Sequence, residues 1–123
     1  MATIIKNISI LLFFLGLISQ GYCKPCSLSD IFVKQSETGI KIQGKPEWLV
    51  TVINNCDCRQ SFVMLNCYRF KTVEPVDTNI MSYSGTQFCL INSGKPISNK
   101  PVTFKYASDK AFRMTPTFSQ MAC

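Results

Sequence analysis

The side chains best equipped for chemistry in this sequence are its seven cysteines: Cys23, Cys26, Cys56, Cys58, Cys67, Cys89 and Cys123. Zinc ligation, thiol redox work and disulfide bonding are the three uses open to them. Structural zinc sites present two closely spaced ligand pairs, often C-x-x-C. Here Cys67 and Cys89 stand alone and the chain has no histidine, so no metal is expected. Cys23-Lys24-Pro25-Cys26 does spell C-x-x-C. A thioredoxin-like redox motif needs a strand-then-helix context that does not follow here, and the match is read as accidental. Disulfides remain, and they imply an oxidising compartment.

The N-terminus points to that compartment. Residues 1–23 have the layout of a secretory signal peptide: Lys6 supplies the positive charge, and residues 8–18 form an apolar run. That run is shorter than the roughly 20 apolar residues a membrane-spanning helix needs. Gly21 and Cys23 permit cleavage before Lys24, while Ser19 and Gly21 permit it before Tyr22. The first cut leaves an even set of six cysteines, Cys26, Cys56, Cys58, Cys67, Cys89 and Cys123, in a single domain over residues 24–123. The only Asn-x-Ser/Thr sequon, Asn7-Ile8-Ser9, falls inside the signal. No later segment could span a bilayer, so a secreted, extracellular product is expected.

Catalysis lacks its usual parts. Without histidine the commonest general base is missing, along with the hydrolase triads built on it. The acidic residues Asp30, Glu37, Glu47, Asp57, Glu74, Asp77 and Asp109 show no acid/base or metal-binding spacing. A glycosidase needs only two carboxylates, and sequence does not say which of these meet in space. No phosphate-cradling glycine loop occurs. The expectation is a protein that is not an enzyme and carries no cofactor.

The elements that must hold these cysteines read as short strands. Residues 31–33 and 40–42 are apolar pieces on either side of Thr38-Gly39, and Gly44-Lys45-Pro46 makes a turn. Residues 47–53 give the strongest strand, with Trp48, Val50 and Val52 on one face and Leu49 and Ile53 on the other. Apolar residues on both faces suggest a central strand covered on each side. Residues 62–67, running on to Phe70, then 89–91 and 102–106 follow, with an edge at Pro96-Ile97 and Val102, Phe104 and Tyr106 inward. Residues 112–121 form a weaker terminal strand, placed at an edge by Pro116. Residues 78–87 read as a loop. The fold class is all-β: a small, disulfide-stapled antiparallel sandwich or barrel-like domain. Trp48 is expected between the layers. Cys56 and Cys58, one residue apart, are poorly placed to bridge each other, so each should reach a different partner. Of the fifteen pairings of six cysteines, twelve remain.

Thirteen Lys and Arg stand against seven Asp and Glu. The basic residues are scattered singly in an exported chain, which argues against nucleic acid. They leave either a merely solvated surface or attraction to an acidic partner, such as a receptor face or anionic wall polysaccharide.

The order of the pieces resembles a known family. Cys26…Asp30-Ile31…Gln35…Thr38-Gly39 comes first, then GKPEWLVTVINNCDCRQSFVMLNC (44–67), CLINSGKPI (89–97), FKYA (104–107) and a terminal Cys123. Together they resemble the tapetum-determinant family of plants over essentially the whole mature chain. The resemblance implies a secreted cysteine-rich ligand that binds the ectodomain of a leucine-rich-repeat receptor kinase and directs cell differentiation. In that role Arg59, Arg69 and Lys71 are the candidate receptor contacts. One local departure stands out: relatives tend to carry glycine before the aromatic residue that follows Cys67, where this chain has Tyr68-Arg69-Phe70. Two other readings are a wall-associated carbohydrate-binding module, with Tyr68, Tyr83 and Phe88 as its platform, and a secreted inhibitor or defence protein.

Overall fold

The computed structural model describes residues 26–83 and 87–123; the expected signal peptide and both cleavage sites lie outside the described residues. Seven strands form two antiparallel sheets. They are β1 (Ile31–Ile42), β2 (Lys45–Asn54), β3 (Arg59–Asn66), β4 (Met81–Tyr83), β5 (Phe88–Ile91), β6 (Val102–Ala107) and β7 (Thr115–Ala122). One sheet has the order β1-β2-β6 and the other β4-β5-β3-β7, and they do not close into a barrel. The sandwich alternative is therefore the correct one. No helix among the described residues is long and apolar enough to cross a membrane.

Strand β2 is central in its sheet and β7 is an edge, but β2 is not covered on each side. Only the face of Val50 and Val52 meets the second sheet, and Leu49 and Ile53 on the other face are half-buried. Val50 and Val52, with Phe104 beside Val50 in the same sheet, are buried between the sheets opposite Leu65 and Ile91, and Trp48 is half-buried against this core. The Trp48 indole N–H donates to the Ser108 carbonyl at 3.2 Å, which satisfies its polar end. Tyr106 is fully buried, and its hydroxyl is equally committed: it donates to Gln35 Oε1 and accepts from the Phe112 N–H. Phe70 packs edge-on against Tyr106 at 5.2 Å and against Phe112 at 5.5 Å.

Three strands differ from expectation. Strand β3 stops at Asn66 and does not run on to Phe70, because a turn closed by the Phe70 N–H on the Cys67 carbonyl follows it. The pieces at 31–33 and 40–42 are one strand, because Gly39 (φ 91) absorbs extra residues in a bulge between the pairs Glu37↔Trp48 and Lys41↔Pro46. The hairpin turn is Gln43-Gly44, both with positive φ, the two-residue geometry that matches strand twist. Residues 78–87, read as a loop, contain β4, which pairs with β5 through Met81↔Ile91 and Tyr83↔Cys89. Its three residues are too few to show a period of two.

The disulfides are Cys26–Cys56, Cys58–Cys123 and Cys67–Cys89. As the spacing argument requires, Cys56 and Cys58 take different partners. The chain passes from one sheet to the other through 55–58, so this corner is tied to the start of β1 and the end of β7. Asn54, 3% exposed, completes the corner. Its Nδ2 donates to the carbonyls of Cys58 and Ile97, and its Oδ1 accepts from the Cys56 N–H and Gln60 Nε2.

Replacing both Cys58 and Cys123 with serine should cost about 2–4 kcal/mol of stability, read as a lower urea midpoint. A midpoint equal to the parent's would mean that hydrogen bonds alone hold the corner.

Candidate interaction surface

The three cations singled out from sequence do not form one patch. Arg59 opens β3 beside the Cys58–Cys123 bridge, and Arg69 lies three residues past the other end of that strand. A strand of that length spans roughly 25 Å. Lys71 lies elsewhere, in a depression of about 270 Å³ lined also by Lys45, Val73 and Asp109 along the β6 edge. Lys45 and Asp109 form an exposed ion pair there at 2.9 Å, of a kind worth about 0–1 kcal/mol.

Arg69 is the informative member. The turn that follows Cys67 is closed by the Phe70 N–H donating to the Cys67 carbonyl at 2.9 Å, and Arg69 has φ 64. The left-handed geometry that glycine serves without strain is kept here by an arginine. Such a conformation costs a residue with a Cβ about 1–2 kcal/mol. The guanidinium stacks over the Tyr68 ring at 5.3 Å.

The proposed aromatic platform does not assemble. Tyr68 is 58% exposed, but the Tyr83 ring turns to Phe70 at 6.0 Å, on the core side of the sheet. Phe88 lines the opposite, outer face with Met64 and Phe118. The three rings therefore do not share a face.

Two carboxylates meet that sequence spacing left apart. The β1 bulge carries Thr38 over Glu47, whose Oε1 accepts from the Thr38 hydroxyl at 2.7 Å. Residues 72–74 run along the β6 edge, with the Val73 N–H donating to the Ala107 carbonyl, and bring Glu74 against Glu47. The Thr38 bond, then the bond to Glu74, hold the Glu47 carboxyl below its usual range despite its burial, aided by Lys105. Burial first, then the facing Glu47, push Glu74 up. Glu74 Oε1 is enclosed with no protein donor, which adds to the penalty on its charged form. Divergent carboxylates can serve acid–base catalysis. Glu47, however, is only 4% exposed, and the pair lies under the 72–74 segment. The arrangement fastens a segment to a sheet edge.

The sulfurs of Cys26, Cys58 and Cys123 lie within 4.8 Å of one another, so two bridges abut at the corner. With every one of these sulfurs in a disulfide, none is a thiolate able to ligate a metal.

Glu74, with its raised pKa, favours folding below the ordinary glutamate value of 4.5 and loses that contribution as pH rises through its folded value. Glu47 behaves oppositely, contributing above 4.5 and losing that contribution as pH falls through its lowered value. Glu74→Gln should therefore match the parent in acid and become the more stable protein toward neutral pH. Urea midpoints across that range test this; a variant that loses ground as pH rises refutes the upward shift at Glu74.

Comparison with known proteins places this architecture. Residues 27–123 match the family model described as Tapetum determinant 1, C-terminal. The chain is similar to TPD1 protein homolog 1A of Oryza sativa subsp. japonica, 25% identical over 95 residues, which covers 70% of this chain and 42% of the relative. It thus spans less than half of that relative's length. No solved structure matches it. A match that runs from the residue after the first bridged cysteine to the last one takes in both sheets and all but one of the cysteines that staple them, and the chain belongs to the tapetum determinant family.

Proposed function

We propose that this protein is a secreted signalling ligand, cleaved after residue 21 or 23, whose folded surface is recognised by the ectodomain of a leucine-rich-repeat receptor kinase. The observation that carries the proposal is the family match over residues 27–123. Three disulfides support the extracellular setting, because such bridges persist in oxidising compartments. A solenoid ectodomain offers an extended concave surface, and a rigid sandwich loses little conformational entropy on docking there. In this role the molecule works through shape and charge, with no reaction centre. Arg59, Arg69 and Lys71 are the proposed contacts, and their separation would divide them between different parts of the receptor.

The secreted, oxidised protein, its N-terminus read by mass spectrometry, is expected to begin at Lys24 or Tyr22. In a panel of leucine-rich-repeat kinase ectodomains it should bind at least one with a micromolar or tighter Kd, and lose that binding on reduction. Binding to none above the level of a disulfide-scrambled control would refute the reading.

A further inference from the structure

The outer face of the four-stranded sheet is composed unlike an ordinary solvated face. In β3 the side chains of Gln60, Val63 and Leu65 are buried, so Met64 and Asn66 point outward. Register sets Leu90 and Phe118 beside Met64, and Phe88 and Thr115 beside Asn66. Phe62, which has φ 50 in a bulge, lies against Gly94 on the β5 side and is 50% exposed; Phe118 is also 50% exposed. Strands β3, β4, β5 and β7 contain no acidic residue.

Two shallow depressions adjoin along this face. One, of about 310 Å³, is lined by Met64, Phe88, Thr117 and Phe118. The other, of about 390 Å³, is lined by Asn66, Tyr68, Arg113 and Thr115. Arg69, stacked on Tyr68, stands beside the second, and Arg59 lies at the far end of β3. An apolar centre is thus bordered by arginine at both ends. Positions two apart on a strand lie roughly 7 Å from each other, which sets the pitch between the apolar row and the polar row.

We infer that this face is the docking surface, and that its occupant is a folded protein surface presenting apolar side chains flanked by carboxylates. The inference rests on the receptor reading above, which it deepens by naming the face and the partner's chemistry; of the proposed contacts it keeps Arg59 and Arg69 and leaves Lys71, at the β6 edge, outside the face. Arginine beside exposed aromatic groups is the composition enriched at interface centres. Charge selects the occupant. A second copy would lay Arg59, Arg69 and Arg113 against like charges, which opposes pairing. An acidic polysaccharide would meet the arginines and leave Phe62, Met64 and Phe118 in water. A protein surface with carboxylates around an apolar centre satisfies both parts. The strained Arg69 fits this role, since glycine would serve the turn better and the contact worse.

Two measurements decide the matter. The first titrates the ¹⁵N-labelled, oxidised protein with the peptide Glu-Thr-Leu-Thr-Leu-Thr-Glu, with Lys-for-Glu and Ser-for-Leu peptides as controls. The acidic–apolar peptide should shift the amides of Met64, Asn66, Leu90, Thr115 and Phe118 and bind at least fivefold tighter than either control. Shifts confined to the β1-β2-β6 sheet, or equal binding by the Lys peptide, overturn the inference whatever the receptor result. Concentration-dependent broadening of this face without peptide also overturns it, in favour of self-association. The second uses any ectodomain that binds in the panel. Phe118→Ser, Arg113→Glu and Arg69→Gly should each weaken binding tenfold or more, with Arg69→Gly leaving thermal stability unchanged or higher. Phe32→Ser and Lys105→Glu, on the other sheet, should change binding less than twofold. Receptor binding that ignores the first set overturns the face and leaves the receptor reading intact. Peptide mapping to this face with no ectodomain bound does the reverse.

Discussion

The corner at residues 55–58 is the constraint on which the architecture depends. Two sheets stacked face to face hold their register only if something fixes how the chain leaves one and enters the other. Here a three-residue stretch carries two half-cystines, one bridged to Cys26 ahead of β1 and the other to Cys123 after β7. The first draws the start of β1 inward, and the second clamps the end of β7. Asn54 and Gln60 fill the space behind them. Gln60 Oε1 accepts from the Ser119 hydroxyl and its Nε2 donates to the Ser27 carbonyl, so both chain ends also meet in hydrogen bonds. Two buried amides left unpaired would each be costly, whereas satisfied they specify one geometry. A slip of one residue in β2 would break the Asn54 bonds, and a slip in β3 those of Gln60.

Much of this was legible in sequence, for reasons that differ by element. β2 could be read from its unbroken run of β-forming residues and β6 from its clean alternation of apolar with polar side chains. The edge position of β7 followed from one residue, Pro116, which lacks the N–H a ladder needs. Separate partners for Cys56 and Cys58 followed from ring geometry, but the partners themselves depend on which ends meet in space. The join of β1 across Thr38-Gly39 was hidden because glycine marks a bulge and a break alike. β4 was hidden because Ser82 alone separates two inner-facing positions.

The surface was less legible still, because faces belong to the fold and not to the string. Arg59, Arg69 and Lys71 are close in sequence, yet strand length separates the first from the second, and the turn after Cys67 sends the third toward the β6 edge. Arg113 was passed over because its depression takes Asn66 and Tyr68 from a distant part of the chain, a meeting that no local spacing shows. Glu47 and Glu74 meet for the same reason. Their encounter needs a bulge in β1 and a segment docked on β6, and no spacing rule contains either.

The bridges and the exposed features belong to one energetic argument. An ordinary domain has about 5–15 kcal/mol of net stability, so a left-handed arginine and half-exposed phenylalanines on a solvent face are appreciable burdens. Cross-links act largely on the unfolded chain, by about 2–4 kcal/mol each, and ask nothing of the composition of the outer faces. A core of modest size can then coexist with a surface shaped for contact and not for hydration. The cysteines sit at the corner and under the inner layer, with Cys67 and Cys89 fully buried, while Arg69, Arg113 and Phe118 occupy the side that faces away. That division of labour frees the outer face of the four-stranded sheet to vary its apolar and basic residues while the sandwich behind it stays the same.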